Sequence, residues 1–203
     1  MMAWEALAVV LAITYLVLAI RQNIWCWAAA AISTLIYLFI MFEAKLYMES
    51  VLQLFYLAMA AYGWYQWRAH GQNREVLQVR TWPISHHLFA IASVLILVFA
   101  SGHLLTQYSD AALPHLDSFT TWGAVIATYM VARKILENWV YWFVIDAVSV
   151  GLYLNRGLLL TAVLFAFYLV LIVIGYRSWR ASMADAKPEI PGGFERGLGS
   201  AEA

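Results

Sequence analysis

The chain has 203 residues, of which 64% are hydrophobic, 16% aromatic and 12% charged, and its formal net charge is zero. Soluble domains are typically about 45–50% apolar and about 25% charged, so this composition indicates a membrane protein. A zero net charge without long basic or acidic runs gives no reason to expect nucleic acid as a partner, and the single cysteine, Cys26, excludes a disulfide framework within one chain.

Seven apolar runs are long enough to be membrane-spanning helices, because about 20 mostly apolar residues cross a hydrocarbon core of about 30 Å. In chain order they cover 4–20, 24–42, 48–67, 87–105, 119–135, 138–154 and 158–176. The first run lacks a basic segment before it and a cleavage site after it, which favours a retained helix over a signal peptide. We predict one transmembrane domain over 1–181 and a flexible cytoplasmic tail over 182–203.

The basic residues predict the direction of the chain, because cytoplasmic loops carry the excess of Lys and Arg. Of the twelve basic residues, Lys45 and Arg156 fall on the side of the N-terminus and the other ten fall on the opposite side. The N-terminus is therefore predicted to lie outside and the C-terminus in the cytoplasm.

The sequence also resembles itself at offsets of 112 to 116 residues. The third and seventh spans match at Phe55-Tyr56-Leu57 with Phe167-Tyr168-Leu169 and at Gly63-x-x-x-Trp67-Arg68 with Gly175-x-x-x-Trp179-Arg180. The first and fifth spans match at Thr14-Tyr15 with Thr128-Tyr129, and the second and sixth match at Asn23 and Trp27 with Asn138 and Trp142. Three helices are an odd number, so the fourth span is needed to give both repeats one direction.

We therefore predict an all-α membrane protein with seven transmembrane helices in a 3+1+3 arrangement of parallel three-helix repeats, as in SWEET-type transporters. The first repeat covers about 4–68, a linker helix covers about 87–105, and the second repeat covers about 119–180. This architecture places a substrate site between the halves, near the midplane of the membrane.

Polar and aromatic residues line up on three of the predicted helices. At 100° per residue, five of them fall within an arc of about 80° on the sixth helix, namely Asn138, Trp142, Asp146, Ser149 and Tyr153. Similar stripes contain Asn23, Trp27, Thr34 and Tyr37 on the second helix, and Gln53, Tyr56, Gly63 and Trp67 on the third. Trp and Tyr near span ends also form interfacial belts, and small or hydroxyl residues also pack helices together. For Trp142 and Tyr56, which lie inside their spans, we favour a ligand-facing role.

Asp146 lies eight residues beyond Asn138, or about 12 Å along a helix that rises 1.5 Å per residue. This position is close to the bilayer centre. A carboxylate there costs about 2.5–3.5 kcal/mol on insertion scales, so it normally faces a bundle interior or cavity and marks a functional site. The alternative is a structural hydrogen bond to a neighbouring helix, and Gln53 has the same two interpretations.

Enzyme signatures are absent from the sequence. There is no GxxxxGK[ST] segment, His86 and His87 are adjacent, and neither HExxH nor a Cys/His cluster occurs. All three lysines lie outside the predicted span cores, so a retinal Schiff base is excluded. No catalytic residue, metal or cofactor is predicted.

Four stretches resemble a known family. They are YGWYQWR at 62–68, DAALPHLDSFTT at 110–121, ARKILENWVYWFVIDAVSVGLYLNRGLLLTA at 132–162 and IGYRSWR at 174–180. The resemblance is to the PnuC-type nicotinamide riboside transporters of bacteria and covers about residues 20–181. It implies a multi-pass, usually homotrimeric inner-membrane protein that passes an unphosphorylated vitamin by facilitated diffusion, while a cytoplasmic kinase traps the product.

Members of this family divide among nicotinamide riboside, thiamine and riboflavin. We expect nicotinamide riboside, with thiamine as the alternative, since both carry a cationic aromatic ring that stacks well on Trp or Tyr. Proton-coupled symport through Asp146 is the alternative mechanism. The predicted substrate-binding residues are Trp142 and Tyr56 for stacking, Gln53 and Asn138 for hydrogen bonds, Asp146 as a charge or network partner, and Trp139 and Tyr153 as further candidates.

Overall fold

Each of the seven predicted spans corresponds to one α-helix in a computed structural model of the chain, which describes residues 2–43, 47–72, 77–108, 113–155 and 159–185. The helices are α1 Met2–Ile20, α2 Trp25–Glu43, α3 Tyr47–Gln72, α4 Ile84–Tyr108, α5 Pro114–Ala132, α6 Asn138–Asn155 and α7 Leu159–Asp185. At 1.5 Å per residue they are about 27–40 Å long, which matches the thickness of a bilayer core.

Several helix ends differ from the prediction. α5 begins at Pro114 instead of 119 and ends at Ala132 instead of 135, since proline suits the first turn of a helix, where its missing N–H is not needed. α3 and α7 continue past their apolar runs to Gln72 and Asp185. The predicted tail therefore loses residues 182–185 to α7, and the rest of it lies outside the described residues.

The outer surface of the bundle is apolar. On α4, Phe89 is 76% exposed, Ile96 69% and Phe99 74%. By length and hydropathy, Ile84–Tyr108 and Thr161–Asp185 could each cross a membrane, and two shorter apolar helical segments end at Ile20 and Ile40. Exposed apolar surface of this extent is expected for helices surrounded by lipid.

The helices pack as two groups of three. Helices α1, α2 and α3 form the first group and α5, α6 and α7 the second, with sequence neighbours in contact inside each group. Between the groups, α1 packs on α7 and α3 packs on α5. The first helix of each group thus contacts the third helix of the other. Helix α4 packs mainly on α5, contacts α6 through a hydrogen bond of 3.0 Å between His87 Nδ1 and Tyr141 Oη, and belongs to neither group.

The connections between α1 and α2 and between α5 and α6 have the same backbone conformation. Gln22 and Lys134 both adopt left-handed backbone angles, with φ of 53° and 51°. The next amide in each turn donates to the carbonyl five residues back, from Asn23 in one turn and from Ile135 in the other, at 2.9 Å in both. Both turns are therefore Schellman-type caps at the end of the preceding helix.

This shared conformation bears on one detail of the predicted repeat. The two turns correspond at an offset of 112 residues, which pairs Trp27 with Trp139. The predicted pairing of Trp27 with Trp142 and of Asn23 with Asn138, at an offset of 115, differs from the offset of these turns and stays a prediction. The offset of 112 rests on the backbone conformation, and the offset of 115 rests on the identity of single side chains.

Residues 77–83, which we call the strap, cross over the α5–α6 connection in an extended conformation. The Arg80 amide donates to the Lys134 carbonyl at 3.1 Å, and the Leu136 amide donates to the Arg80 carbonyl at 2.8 Å. The Trp82 amide donates to the Glu137 carboxylate at 3.3 Å. The strap thereby fixes the α5–α6 turn in place.

Seven of the basic residues lie at one end of the bundle, which we call the basic end. The two Schellman turns and the strap lie at this end. The C-terminal parts of α3 and α7 lie there too, because Trp67 of α3 donates to the last turn of α5 and Trp179 of α7 donates to the last turn of α1. The basic residues in these segments are Arg21, Arg68, Arg80, Arg133, Lys134, Arg177 and Arg180. Lys45 and Arg156, predicted for the opposite side, lie outside the described residues.

Candidate functional site

A cavity of about 220 Å³ lies between α1 and the second group of helices. Its wall is mainly apolar and aromatic, with one carboxylate. The lining residues are Ala12, Tyr15, Leu16 and Ala19 of α1, Val131 of α5, Trp139, Trp142 and Asp146 of α6, and Phe165, Tyr168 and Ile172 of α7.

Asp146 supplies the carboxylate of the cavity wall. It is only 5% exposed, and no hydrogen bond to its oxygens is found in the part of the chain that the structure describes. Tyr168 lies close enough to interact with it electrostatically, and the Phe165 ring stands edge-on to the Tyr168 ring at 5.7 Å between centroids. Both carboxylate oxygens therefore remain available to a ligand held against aromatic rings.

Trp139 forms the end of the cavity nearest the α5–α6 turn. Its indole packs on Gly175, where a Cβ atom would lie 2.5 Å from the ring, and it meets Trp179 edge to face at 5.4 Å. Its Nε1 is buried without an acceptor among the described residues. Trp27 Nε1, which is not part of the cavity wall, is buried without an acceptor among the described residues in the same way.

Trp139 belongs to a layer of four tryptophans at the basic end, which we call the tryptophan layer: Trp27, Trp67, Trp139 and Trp179. Trp27 packs on Gly63 and meets Trp67 edge to face at 5.6 Å, as Trp139 does with Gly175 and Trp179. Trp67 and Trp179 contact each other at 6.3 Å. Trp67 Nε1 donates to the Ala132 carbonyl at 3.1 Å, and Trp179 Nε1 donates to the Ala19 carbonyl at 3.0 Å. The layer therefore links the two groups.

Lys134 joins the same layer from the α5–α6 turn. Its Nζ donates to Gln22 Oε1 at 3.0 Å and lies 4.7 Å from the centre of the Trp67 ring. Gln22 Nε2 donates to Ser182 Oγ at 2.7 Å. Burial lowers the pKa of the Lys134 ammonium, which lies outside α5 and α6, to about 8.

The cavity brings together three of the predicted site residues, Trp139, Trp142 and Asp146. Asn138 lies outside the wall and is fully buried at the start of α6. Its Nδ2 donates to the Ile135 carbonyl at 2.6 Å, and its Oδ1 has no donor among the described residues. Tyr153 is also outside the wall, with its ring 5.1 Å from that of Phe165.

The two candidates on α3, Gln53 and Tyr56, are half-buried and lie outside this wall. At the offset of 112 residues they correspond to Phe165 and Tyr168, which do line the cavity. Sequence reasoning also passed over Tyr15. The matches between the predicted repeats contained both Tyr15 and Tyr168, so the sequence held a signal for them. The sequence pattern did not indicate which group of helices borders the cavity.

A helix bundle with an apolar outer surface and an internal cavity lined by aromatic side chains has the architecture of a membrane transporter for a small molecule. The chain belongs to the nicotinamide mononucleotide transporter family, whose model matches residues 2–181. Membership confirms the predicted resemblance, and it confirms that the chain is a transporter and not an enzyme.

Individual relatives carry different names. The riboflavin/roseoflavin transporter RibM of Streptomyces davaonensis is 28% identical over 189 residues, which cover 90% of this chain and 87% of RibM. The nicotinamide riboside transporter PnuC of Escherichia coli is 23% identical over 204 residues, which cover 88% of this chain and 85% of PnuC. A crystal structure of the vitamin B3 transporter PnuC has the same fold, with a TM-score of 0.70 and 23% identity, and the match covers 91% of this chain and 83% of that one.

Proposed function

We propose that the chain transports an unphosphorylated vitamin with a planar aromatic ring, and that nicotinamide riboside is its preferred substrate. The observation that carries this proposal is Asp146, a carboxylate in a wall of aromatic side chains. A positively charged ring gains both from stacking on aromatic faces and from the carboxylate. Arg and Lys are the usual partners of phosphate groups, and none is among the lining residues, which supports an unphosphorylated substrate over a mononucleotide.

Riboflavin is the second candidate, because the relative RibM is named for it. Two features of the cavity favour the smaller, cationic vitamin. Riboflavin is uncharged and gains less from Asp146, and the cavity volume of about 220 Å³ lies below the range of about 300–1,000 Å³ that is usual for ligand pockets. Thiamine shares the cationic ring and remains the alternative within the same class.

Calorimetric titration of the purified protein with each of the three vitamins tests the proposal. We expect nicotinamide riboside to bind at least about tenfold more tightly than riboflavin, since a desolvated cation–π interaction contributes about 2 kcal/mol. If riboflavin bound most tightly, riboflavin would replace nicotinamide riboside as the proposed substrate. Binding of none of the three would overturn the proposal.

For the mechanism, we propose facilitated diffusion by alternating access, in which the two groups of helices rock at the α1–α7 and α3–α5 contacts. The equivalent turns at an offset of 112 residues and the reciprocal packing of first and third helices support a 3+1+3 arrangement of parallel repeats. Trapping of the vitamin by a cytoplasmic kinase is part of the same proposal and rests on the family resemblance.

Asp146 favours proton-coupled symport as a second mechanism, because a carboxylate in the cavity could carry a proton. Uptake into proteoliposomes distinguishes the two mechanisms. Facilitated diffusion equilibrates free vitamin, with or without a proton gradient. Accumulation above the outside concentration under a proton gradient would instead establish symport.

The membrane in which the protein lies, the direction of its chain and its oligomeric state stay predictions. A multi-pass bacterial inner-membrane protein with its C-terminus in the cytoplasm is supported by the seven basic residues at the basic end. Labelling of a cysteine introduced at Arg177 from one side of the membrane tests this direction. The homotrimer rests on the family resemblance, and mass measurement in detergent tests it.

A further inference from the structure

The cavity ends at side chains that join the two groups of helices. Ala19, Val131 and Trp139 form this end of the wall. Gln22 comes three residues after Ala19, and Lys134 comes three residues after Val131. In both turns the amide of the later residue donates to the carbonyl of the earlier one at 3.0 Å. The side chains of Gln22 and Lys134 therefore lie just beyond the cavity, toward the basic end.

These two side chains bond to each other across the boundary between the groups. Lys134 Nζ donates to Gln22 Oε1, and Gln22 Nε2 continues the connection to Ser182 on α7. The ammonium also lies over the Trp67 ring. One chain of contacts thus runs from the α5–α6 turn through the α1–α2 turn to the end of α7.

Backbone conformation gives a second, independent reason to assign a role to this pair. Schellman turns usually have glycine at the left-handed position, because a side chain there is sterically unfavourable. Both turns instead carry long polar residues, Gln22 and Lys134, at that position. Unfavourable backbone geometry is retained where the side chain is needed, and here the two side chains bond to each other.

We propose that Lys134, Gln22 and Ser182 form a gate that closes the cavity at the basic end and must separate before the vitamin leaves on that side. This inference rests on the proposed function, in which the cavity holds the transported vitamin. The two sides of the gate are held by different segments. The strap pairs with the turn that carries Lys134, whereas Ser178 Oγ and Trp179 Nε1 of α7 donate to the Ile20 and Ala19 carbonyls next to Gln22. Opening separates Lys134 from Gln22 and moves the α1–α2 turn relative to the α5–α6 turn.

The chain contains its own reporter for this movement. Cys26 is the single cysteine of the sequence, is 0% exposed, and lies in the first turn of α2, where its amide donates to the Asn23 carbonyl at 3.0 Å. A buried thiol reacts only when the structure around it opens, so the rate of its alkylation follows the population of the open state. This readout needs no vitamin.

The experiment measures alkylation of Cys26 by N-ethylmaleimide in the full-length protein in lipid vesicles. We expect Lys134→Ala and Gln22→Ala to raise the rate about tenfold or more, in line with the loss of a hydrogen bond to a charged group. Gln22→Glu should lower the rate, because it converts the hydrogen bond into an ion pair. The double variant Gln22→Lys with Lys134→Gln should restore a rate near that of the wild type, since the two residues exchange places.

The matched control is Arg177→Ala, which removes an exposed cation at the same end of the bundle and should leave the rate unchanged. Gln22→Glu distinguishes a change in the gate from misfolding, because a misfolded protein would react faster and not more slowly. Lys134→Ala distinguishes opening of the gate from a change in the thiol itself, because Lys134 interacts electrostatically with Cys26 and loss of its charge alone would slow alkylation. Unchanged rates in all three single gate variants, or faster reaction of Gln22→Glu, would overturn the gate. Altered rates in a protein that binds none of the vitamins would leave the gate in place and overturn the proposed function instead.

Discussion

The indole of Trp139 packs directly on Gly175, and this contact holds the end of the cavity wall in position. No side chain larger than hydrogen fits between the ring and the α7 backbone, since a Cβ on Gly175 would lie 2.5 Å from the ring. The same relationship holds Trp27 on Gly63 in the first group of helices.

Gly175→Ala is expected to push Trp139 out of place and to lower the free energy of unfolding by about 1–3 kcal/mol, the usual effect of overpacking. Vitamin binding should weaken as well, because Trp139 lines the cavity. Gly63→Ala should destabilise the protein similarly but affect binding less, since Trp27 is not part of the wall. Thermal unfolding and calorimetric titration in detergent measure the two effects.

Gly151→Ala provides the matched control, because nothing lies within 4 Å of a Cβ at that position. Alanine is favoured over glycine in a helix by about 0.5–1 kcal/mol, so this variant should be as stable as the wild type or more so. Equal stability of Gly175→Ala and Gly151→Ala would contradict the packing described here.

Asp146→Asn removes the charge of the cavity wall at nearly constant volume. We expect the affinity for nicotinamide riboside and thiamine to fall about tenfold to a hundredfold, because an interaction with a charged group contributes about 1.5–3 kcal/mol. The affinity for riboflavin, which is uncharged, should change little. Calorimetry with the three vitamins measures this, with Asp185→Asn, an exposed position, as control. Undiminished binding of the cationic vitamins would assign Asp146 a structural role.

Tyr168→Leu and Tyr56→Leu compare two residues at equivalent places in the two groups of helices. Tyr168 lines the cavity and Tyr56 does not, so the Tyr168 variant should lose about tenfold in affinity, the scale of a desolvated cation–π contact. The Tyr56 variant should lose less. A larger loss for Tyr56→Leu would move the binding site toward α3, where the sequence placed Gln53 and Tyr56.

Lys134→Met tests the charge of the gate through the pH dependence of stability. Burial lowers the pKa of Lys134 from 10.5 to about 8 in the folded protein, so the folded state binds the proton less tightly than the unfolded state. The resulting destabilisation is fully present below pH 8 and disappears as the pH rises toward 10.5. The midpoint of thermal unfolding of the wild type should therefore rise, relative to that of Lys134→Met, between pH 7 and pH 10.

Arg177→Met serves as the control for this comparison, since it removes an exposed cation at the same end of the bundle. A difference between the wild type and Lys134→Met that stays constant with pH would show that Lys134 does not change its charge there.

The sequence was sufficient to predict the seven helices, because the thickness of the bilayer fixes the length of an apolar run that spans it. It also placed Trp142 and Asp146 on one side of α6, since the helical period alone decides which residues share a face, and the family resemblance added Trp139 as a further candidate. All three line the cavity. Asn138 shares that face but lies where α6 begins, and its amide group bonds to the preceding turn.

The contributions of α1 and α7 could not be predicted in the same way. Tyr15 joins the cavity wall because α1 packs on α7, and Phe165 joins it because α7 packs on α6. Contacts between helices leave no periodic trace in one sequence. The two turns at Gln22 and Lys134 share one backbone conformation at an offset of 112 residues, and the sequence alone, which paired single side chains at 115, gave no sign of this.

The two Schellman turns also have a consequence for biogenesis. The hydrogen bonds that cap α1 and α5 within these turns join residues at most five positions apart, so both caps can form before the strap pairs with the second turn. Contacts that are local in sequence form before those that are distant. We therefore expect α1–α2 and α5–α6 to enter the membrane as preformed helical hairpins, and the contacts of α1 with α7 and of α3 with α5 to be made only after the last helix has been inserted.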